Sequence, residues 1–291
     1  MLIDTHAHLN FNAYKDDVDE VIKRSLEKNI WMINVGSQYE TSKRAVEIAE
    51  KYEKGVYAAI GLHPIHLSSG IFKTKIDREE IEFETKEEEF DYERYKELAK
   101  SSKVVAIGEI GLDYYYRPKT KIKLEQFKNK QKEVFLKQLD LAKELNLPVI
   151  FHCRVAHDDL IDILTTKYKT LDTKLRGVIH CFTGTQEQAE KYLEMGFYLG
   201  FNGLIFKMDW WDEIIKKIPL DKILIETDCP YLPPPPNIIR CGGLTPPQVE
   251  GRNEPLYVKY VAERIAKIKN LSVEDIAKIT TENAKKLFRL Q

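Results

Sequence analysis

The sequence predicts an eight-stranded α/β barrel, (β/α)8, formed as a single domain over residues 1–291. Three observations point there. Short apolar runs rich in β-branched residues recur along the whole chain and alternate with stretches of helical periodicity. The histidines and acids that interrupt those runs fall at their C-terminal ends, which in a barrel converge on one face. The first run is not followed by the glycine-rich phosphate turn that would favour an open, doubly wound sheet.

Taken in order, the predicted strands are Leu2–His8, Ile30–Gly36, Val56–Gly61, Val104–Glu109, Pro148–His152, Gly177–His180, Phe197–Gly200 and Lys222–Glu226. Most are apolar on both faces, as parallel strands buried between a barrel interior and a helical layer should be. Over Glu125–Asn146, Phe127, Val134, Phe135, Leu139, Ala142 and Leu145 recur on one helical stripe. Thr185 with Gln188, and Ser272 with Asp275, have capping-box spacing and open two later helices. After the third strand, Ser68–Glu97 is acidic and poor in glycine, an insertion that reads as a solvated excursion leading into a charged helix. After the eighth, Pro230–Pro255 carries most of the prolines, Pro233 to Pro236 among them. Proline is excluded from central strands and helix interiors, so this stretch is expected as an ordered loop over one barrel end.

Composition limits the function classes. With 43% hydrophobic and 31% charged residues the chain can bury a full core as a soluble protein. No apolar stretch reaches the ~20 residues of a membrane helix, and Met1–His6 has no secretory-signal pattern. Lys and Arg number 45 against 46 acids, which excludes a polybasic coat for long nucleic acid but leaves room for a local basic rim. Cys153, Cys181, Cys229 and Cys241 form no CxxC pair, so a reducing compartment is expected, cytoplasmic with nuclear also compatible. A monomer is expected.

The polar strand ends carry the chemistry. His6 and His8 lie two apart on the first strand and point the same way, with Ala7 opposite. Glu109, His152 and His180 end the fourth, fifth and sixth strands, and Asp228 follows the eighth. Imidazoles with carboxylates suit zinc, manganese or iron, whereas an oxygen-only set suits magnesium better. Six ligands exceed the needs of one tetrahedral ion. Two divalent ions are expected, His6, His8 and Asp228 on one and His152 and His180 on the other, with Glu109 between them. Each residue alone has a plainer reading: a strand-end hydrogen bond for His6 and His8, a satisfied core histidine for His152 or His180, a salt bridge for Glu109, a turn cap for Asp228. Their convergence favours the metal. Asp228 is placed to accept a proton from water as well as to ligate, and is the candidate general base beside Glu109. Cys153 and Cys181 follow ligands directly, so strand alternation turns them away as packing residues.

Asp4–Leu9 (DTHAHL), Gly108–Tyr114 (GEIGLDY), His152–Arg154 (HCR), His180–Gly184 (HCFTG), Glu226–Leu232 (ETDCPYL) and Arg252–Pro255 (RNEP) together resemble the TatD family of metal-dependent deoxyribonucleases. The blocks keep the family's order and span almost the whole chain. The resemblance implies a TIM barrel and a divalent-metal phosphodiesterase acting on DNA, often as a 3′→5′ exonuclease on single-stranded or frayed ends. It carries over His6, His8, Glu109, His152, His180 and Asp228 as ligands. The acidic insertion is longer than in compact family members. For substrate, His63 and Arg154 are candidate phosphate contacts, the latter because guanidinium pairs bidentately with phosphate. Tyr114, with Tyr115 and Tyr116, offers a face for base stacking, or packs under the insertion. The resemblance suggests that Arg252, with Asn253 and Glu254, orders the rim of the site and contacts substrate there. The alternative is an amidohydrolase-type enzyme opening a cyclic amide or lactone. Many of those bridge their metals with a carbamylated lysine on the fourth strand, where this chain has Glu109. A non-catalytic scaffold on a degenerate barrel should have lost ligands, and none is missing.

Overall fold

The computed structural model describes residues 1–68, 70–76, 79–85, 87–168, 175–207, 210–234 and 252–291, with the backbone alone described for 70–76, 79–85 and 167–168. Its main sheet is eight parallel strands in the order β1 (Leu2–Ala7), β2 (Ile30–Val35), β3 (Val56–Ile60), β6 (Val104–Asp113), β7 (Val149–Arg154), β8 (Gly177–Ile179), β9 (Tyr198–Phe201) and β10 (Ile223–Ile225). Helices between the strands pack on the outside. They are α1 (Val18–Glu27), α2 (Tyr39–Glu50), α3 (Tyr92–Leu98), α4 (Lys121–Glu144), α5 (His157–Tyr168), α6 (Gln186–Glu194) and α7 (Trp210–Lys217), followed by α8 (Val258–Lys269) and α9 (Val273–Phe288). This is a TIM barrel.

Two apolar layers hold it. One fills the barrel, with Ile3, Ile33, Val35, Ala59, Ile150, Val178 and Leu224 facing inward and Leu287, Phe288 and Leu290 at the end of α9 packed against them. The other lies between strands and helices and includes Ala7, Ile107, Ile110, Leu112, Phe151 and Cys153. The predicted stripe of α4 faces this layer, with Val134, Phe135, Leu139 and Ala142 buried. The cap at Thr185 is reciprocal: its hydroxyl accepts from the Gln188 amide at 3.3 Å, and the Gln188 side chain accepts from the Thr185 amide at 2.9 Å. The Ser272 hydroxyl likewise accepts from the Asp275 amide, at 3.0 Å.

The structure differs from the sequence reading in two places. The acidic insertion contains an antiparallel hairpin, β4 (Gly70–Ile76) with β5 (Glu79–Thr85), whose register sets Lys73 opposite Glu82 and Lys75 opposite Glu80. The fourth barrel strand runs past Glu109 to Asp113, because β7 continues to pair with it as far as Asp113 opposite Arg154. Gly111 permits this: its φ is +151°, and a Cβ there would lie 2.0 Å from the His152 carbonyl oxygen. Of the proline-rich stretch, 235–251, with Pro235, Pro236 and Cys241, lies outside the described residues.

The seam between first and last strands closes through side chains and backbone together. Ala7 bridges Cys229, the His8 amide donates to the Cys229 carbonyl at 2.9 Å, and the Asp228 amide donates to the His6 carbonyl at 2.8 Å. Asp4, fully buried, accepts from the Thr227 amide at 2.9 Å and the Thr227 hydroxyl at 2.5 Å, and from the His6 amide at 3.2 Å. Asp4→Ala would strand these buried donors, and a loss of about 3 kcal/mol of stability is expected from urea unfolding.

Candidate metal centre

Register shifts aim the first two site elements. Between Asp4 and Ala7, β1 advances three residues while β2 advances two. The extra residue changes the inward-facing parity: Ile3 faces the interior at the bottom, yet His6 and His8 face it at the top while Ala7 packs outward. The same slip occurs in β6 between Ile107 and Ile110. Ile107, Ile110 and Leu112 all pack in the outer layer, so Glu109 and Asp113 turn inward. His152 and His180 stand at the ends of β7 and β8. Asp228 sits past β10 with φ +57°, a left-handed backbone held by the seam.

These six side chains meet. His6 Nε2 lies 3.1 Å from His8 Nε2, and Asp228 Oδ1 lies 3.4 Å from His8 Nε2 and 3.9 Å from His6 Nε2. Bonds of roughly 2.1 Å to a tetrahedral ion give ligand-to-ligand edges of about 3.4 Å, so this triad has the right span. Glu109 Oε2 is 3.5 Å from His6 Nε2, whereas Oε1 is 2.9 Å from His180 Nε2 and 2.6 Å from His152 Nδ1. The two carboxylate oxygens therefore face different sets of imidazoles. Among the described residues three triads bring their ligand atoms within 4.8 Å of one another: His6–His8–Asp228, His6–Glu109–His180 and His63–Asp113–His152. His152 thus groups with Asp113 as well as with Glu109.

A further layer of acceptors orients the rings. His8 Nδ1 lies 2.8 Å from the Val35 carbonyl, which fixes its proton there and leaves the Nε2 lone pair toward His6 and Asp228. His180 Nδ1 faces Glu226 Oε1 at 3.2 Å, and that oxygen also accepts from the Cys181 amide at 2.7 Å. Gly200 leaves room for Glu226, since a Cβ there would lie 2.6 Å from Oε2. His152 Nε2 faces Asp113 Oδ2 at 3.0 Å. Asp113 is itself braced: Oδ1 accepts from the Tyr115 amide at 2.9 Å, and buried Gln131 brackets its backbone at 2.8 and 2.9 Å. Neither Asp113 nor Glu226 was among the expected site residues. Once β6 is known to reach Asp113, strand alternation puts it on the face of Glu109.

Electrostatically the centre concentrates negative charge. Burial works to raise Glu109, Asp113 and Asp228, but the surrounding histidines outweigh it and hold all three below the ordinary carboxylate range. Burial likewise opposes protonation of His152, yet Glu109 and Asp113 raise it to about 9, and His180 is raised well above its ordinary value between Glu109 and Glu226. His6 is lowered by burial and by His180, and His63 falls to about 3 through burial and the adjacent His152. Buried Asp4 is pushed up to about 8 against its hydrogen bonds from Thr227. A buried anionic donor set whose balancing protons sit on imidazoles fits divalent cations, which replace those protons on binding. His6 Nδ1, by contrast, is buried with no hydrogen-bond partner, so the Glu109–His8–Asp228 side of that ring, at Nε2, is where it is engaged.

The remaining candidates separate. His63 is buried on the same face; its Nδ1 accepts from the Ile65 amide at 3.0 Å, and its Nε2 is 3.5 Å from Glu109 Oε1. Arg154 is exposed, its guanidinium carbon 3.6 Å over the Tyr115 ring. Tyr114 is not available for stacking: it is buried, its hydroxyl donates to Asp159 at 2.8 Å, and Lys128 covers the ring. The exposed ring of the three is Tyr115, at 54%. Arg252 spends its guanidinium on Asp17, at 2.5 and 3.0 Å, and on the Ala13 carbonyl, tying the rim to the loop before α1. Asn253 donates to the carbonyls of Thr227 and Tyr231, and Glu254 pairs with Arg24. Cys153 and Cys229 are buried, and Cys181 is partly exposed.

A parallel barrel with a histidine–carboxylate cluster at its strand C-termini defines the class, a metal-dependent hydrolase. The particular family follows from comparison: residues 3–289 match the family described as TatD related DNase, and the chain belongs to it. It is 44% identical to the metal-dependent hydrolase YabD of Bacillus subtilis, over 100% of both chains. It is 30% identical to the 3′-5′ ssDNA/RNA exonuclease TatD of Erwinia amylovora, over 99% of this chain and 100% of the other. The crystal structure of the TatD homologue YJJV from Escherichia coli superposes with a TM-score of 0.78 at 29% identity, covering 100% of this chain and 98% of that one.

Two outcomes are expected. Asp113→Ala frees the His152 ring and should weaken metal affinity about 10–100-fold, read by competition with a chromogenic chelator. Raising pH removes the proton that stabilises His152 in the folded state. Its contribution is complete below about 6.5, the ordinary histidine value, and lost as pH rises through about 9. The melting temperature of chelator-treated protein should therefore fall more steeply over that window than that of metal-loaded protein.

Proposed function

We propose that the protein is a divalent-metal-dependent deoxyribonuclease that hydrolyses phosphodiester bonds from the 3′ ends of single-stranded or frayed DNA. The observation that carries the reading is the buried Glu109 carboxylate, whose two oxygens face separate imidazole sets. Such a bridge suits two cations, His6, His8 and Asp228 holding one, and His180 and His152 the other. The exonuclease name carried by full-length relatives supports nucleic acid as substrate. The imidazole-rich donors favour zinc or manganese over magnesium.

Divalent cations bound there would acidify a water and neutralise charge on non-bridging phosphate oxygens. Asp228, held ionised, accepts the proton released from the attacking water. The Ile65 amide on His63 Nδ1 keeps the ring proton on Nε2, so His63 donates to a phosphate oxygen rather than ligating. Arg154 at the mouth pairs with the neighbouring phosphate, and Tyr115 takes the stacking role that Tyr114 is too buried to serve. Arg252 acts from behind as a strut of the rim.

End-labelled oligodeoxynucleotides test the reading. Mononucleotides should be released from the 3′ end and the activity abolished by chelation. Asp228→Asn should lower kcat by about 10²–10⁴-fold with the fold intact. Turnover of a dihydropyrimidine-type amide or a lactone without nuclease activity would instead identify a C–N or C–O hydrolase, and near-normal nuclease rates in Asp228→Asn with tight metal binding would remove it as the base.

A further inference from the structure

The segment that leaves the metal centre and enters the first turn of α4 carries a charge that the site chemistry does not use. Directly after Asp113, the chain reads Tyr-Tyr-Tyr-Arg-Pro-Lys-Thr-Lys-Ile-Lys over 114–123. Arg117, Lys119, Lys121 and Lys123 are all exposed, and among the described residues none forms an ion pair. The lysines further along the same helix behave differently. Lys128 and Lys132 lie 3.6 and 2.9 Å from Asp159, Lys130 pairs with Glu87, and Lys137 lies 2.8 Å from Glu133. Among the described residues Lys143, near the far end of the helix, also has no ion pair, but the run of closely spaced unpaired cations lies at the end next to the site.

The segment is anchored to the centre. Asp113 faces His152 at 3.0 Å, the Tyr115 amide donates to Asp113, and the Arg154 guanidinium lies 3.6 Å over Tyr115. Arg117 is four residues from Asp113, so its Cα lies at most about 14 Å from that of Asp113. Two large apolar side chains are exposed on the same segment, Tyr115 at 54% and Ile122 at 73%. Cations interleaved with exposed apolar groups match a single polynucleotide strand, which offers phosphates and unpaired base faces together. A duplex offers its base faces to neither.

We infer that residues 115–123 form a path for the single strand beyond the scissile phosphate, with Arg117, Lys119, Lys121 and Lys123 supplying its positive charge. This rests on the nuclease reading and adds to it the element that separates a long strand from a short diester. Recognition is of backbone charge and base faces, so DNA and RNA strands should engage the path alike.

The test replaces Arg117, Lys119, Lys121 and Lys123 together by Gln in the metal-loaded full chain, beside a variant in which Arg117 becomes Lys and the lysines become Arg. For a strand of about 12 nucleotides, kcat/KM of the Gln variant should fall roughly 10-fold, and its log–log salt slope should flatten by about 2–3, since each phosphate contact contributes about 0.7. Hydrolysis of bis(p-nitrophenyl) phosphate, too short to reach the segment, should stay within about twofold, and the charge-conserving variant should match the parent. An unchanged kcat/KM and salt slope on the long strand would overturn the path. Should the parent cleave neither substrate, the nuclease reading fails, and fluorescence anisotropy with the labelled strand then decides the path alone. Salt-dependent binding lost in the Gln variant supports it; equal binding by parent and variant, or equal affinity for a poly-glutamate peptide, overturns it.

Discussion

Glu109 is the charge on which the rest of the centre depends. Its side chain is 6% exposed, and an ionised carboxylate in that position must be compensated by neighbours or it destabilises the fold by several kcal/mol. The compensation comes from imidazoles on four other elements: His6 on β1, His63 after β3, His152 on β7 and His180 after β8. Asp113 engages the other nitrogen of His152 and Glu226 that of His180, the Ile65 amide holds His63 and the Val35 carbonyl holds His8, while His6 is engaged at Nε2 alone; the donors converge on Glu109 and Asp228. The fit to metal follows from the same balance: the anionic oxygens are compensated by protons on His152 and His180, and divalent cations can take the place of those protons.

The barrel delivers this cluster by breaking its own regularity. A strictly alternating β1 that pointed Ile3 into the core would point His6 outward, and a strictly alternating β6 that packed Ile107 outward would do the same to Glu109. One extra residue in each strand reverses the parity where the apolar interior gives way to the site. The seam serves the same end, since the backbone bonds that close β1 onto the chain after β10 are those of His6, His8 and Asp228. The same backbone bonds thus close the barrel and position one half of the centre.

Much of this was legible in the sequence because buried parallel strands leave little room for polar residues. His6, His8, Glu109, His152, His180 and Asp228 stood out as the polar ends of apolar runs. Asp113 did not, because the apolar run reads as a strand only as far as Glu109; at Gly111 a +151° φ without a side chain admits the His152 carbonyl and keeps the strand going. Glu226 was read as a strand end, and only the folded geometry shows its oxygen against His180. The β4–β5 hairpin was hidden by its acidity, which masked the strand pattern. Tyr114 and Tyr115 are neighbours of one type, and a sequence holds no direct sign of which is buried; the Asp159 and Lys128 partners of Tyr114 come from other elements.

Anomalous diffraction from crystals grown with manganese addresses the centre most directly. Two peaks about 3.5–4 Å apart are predicted, one beside His6, His8 and Asp228, the other beside His180 and His152, each touched by one oxygen of Glu109. A lone peak, or a pair that Glu109 does not join, would contradict the bridged two-cation centre.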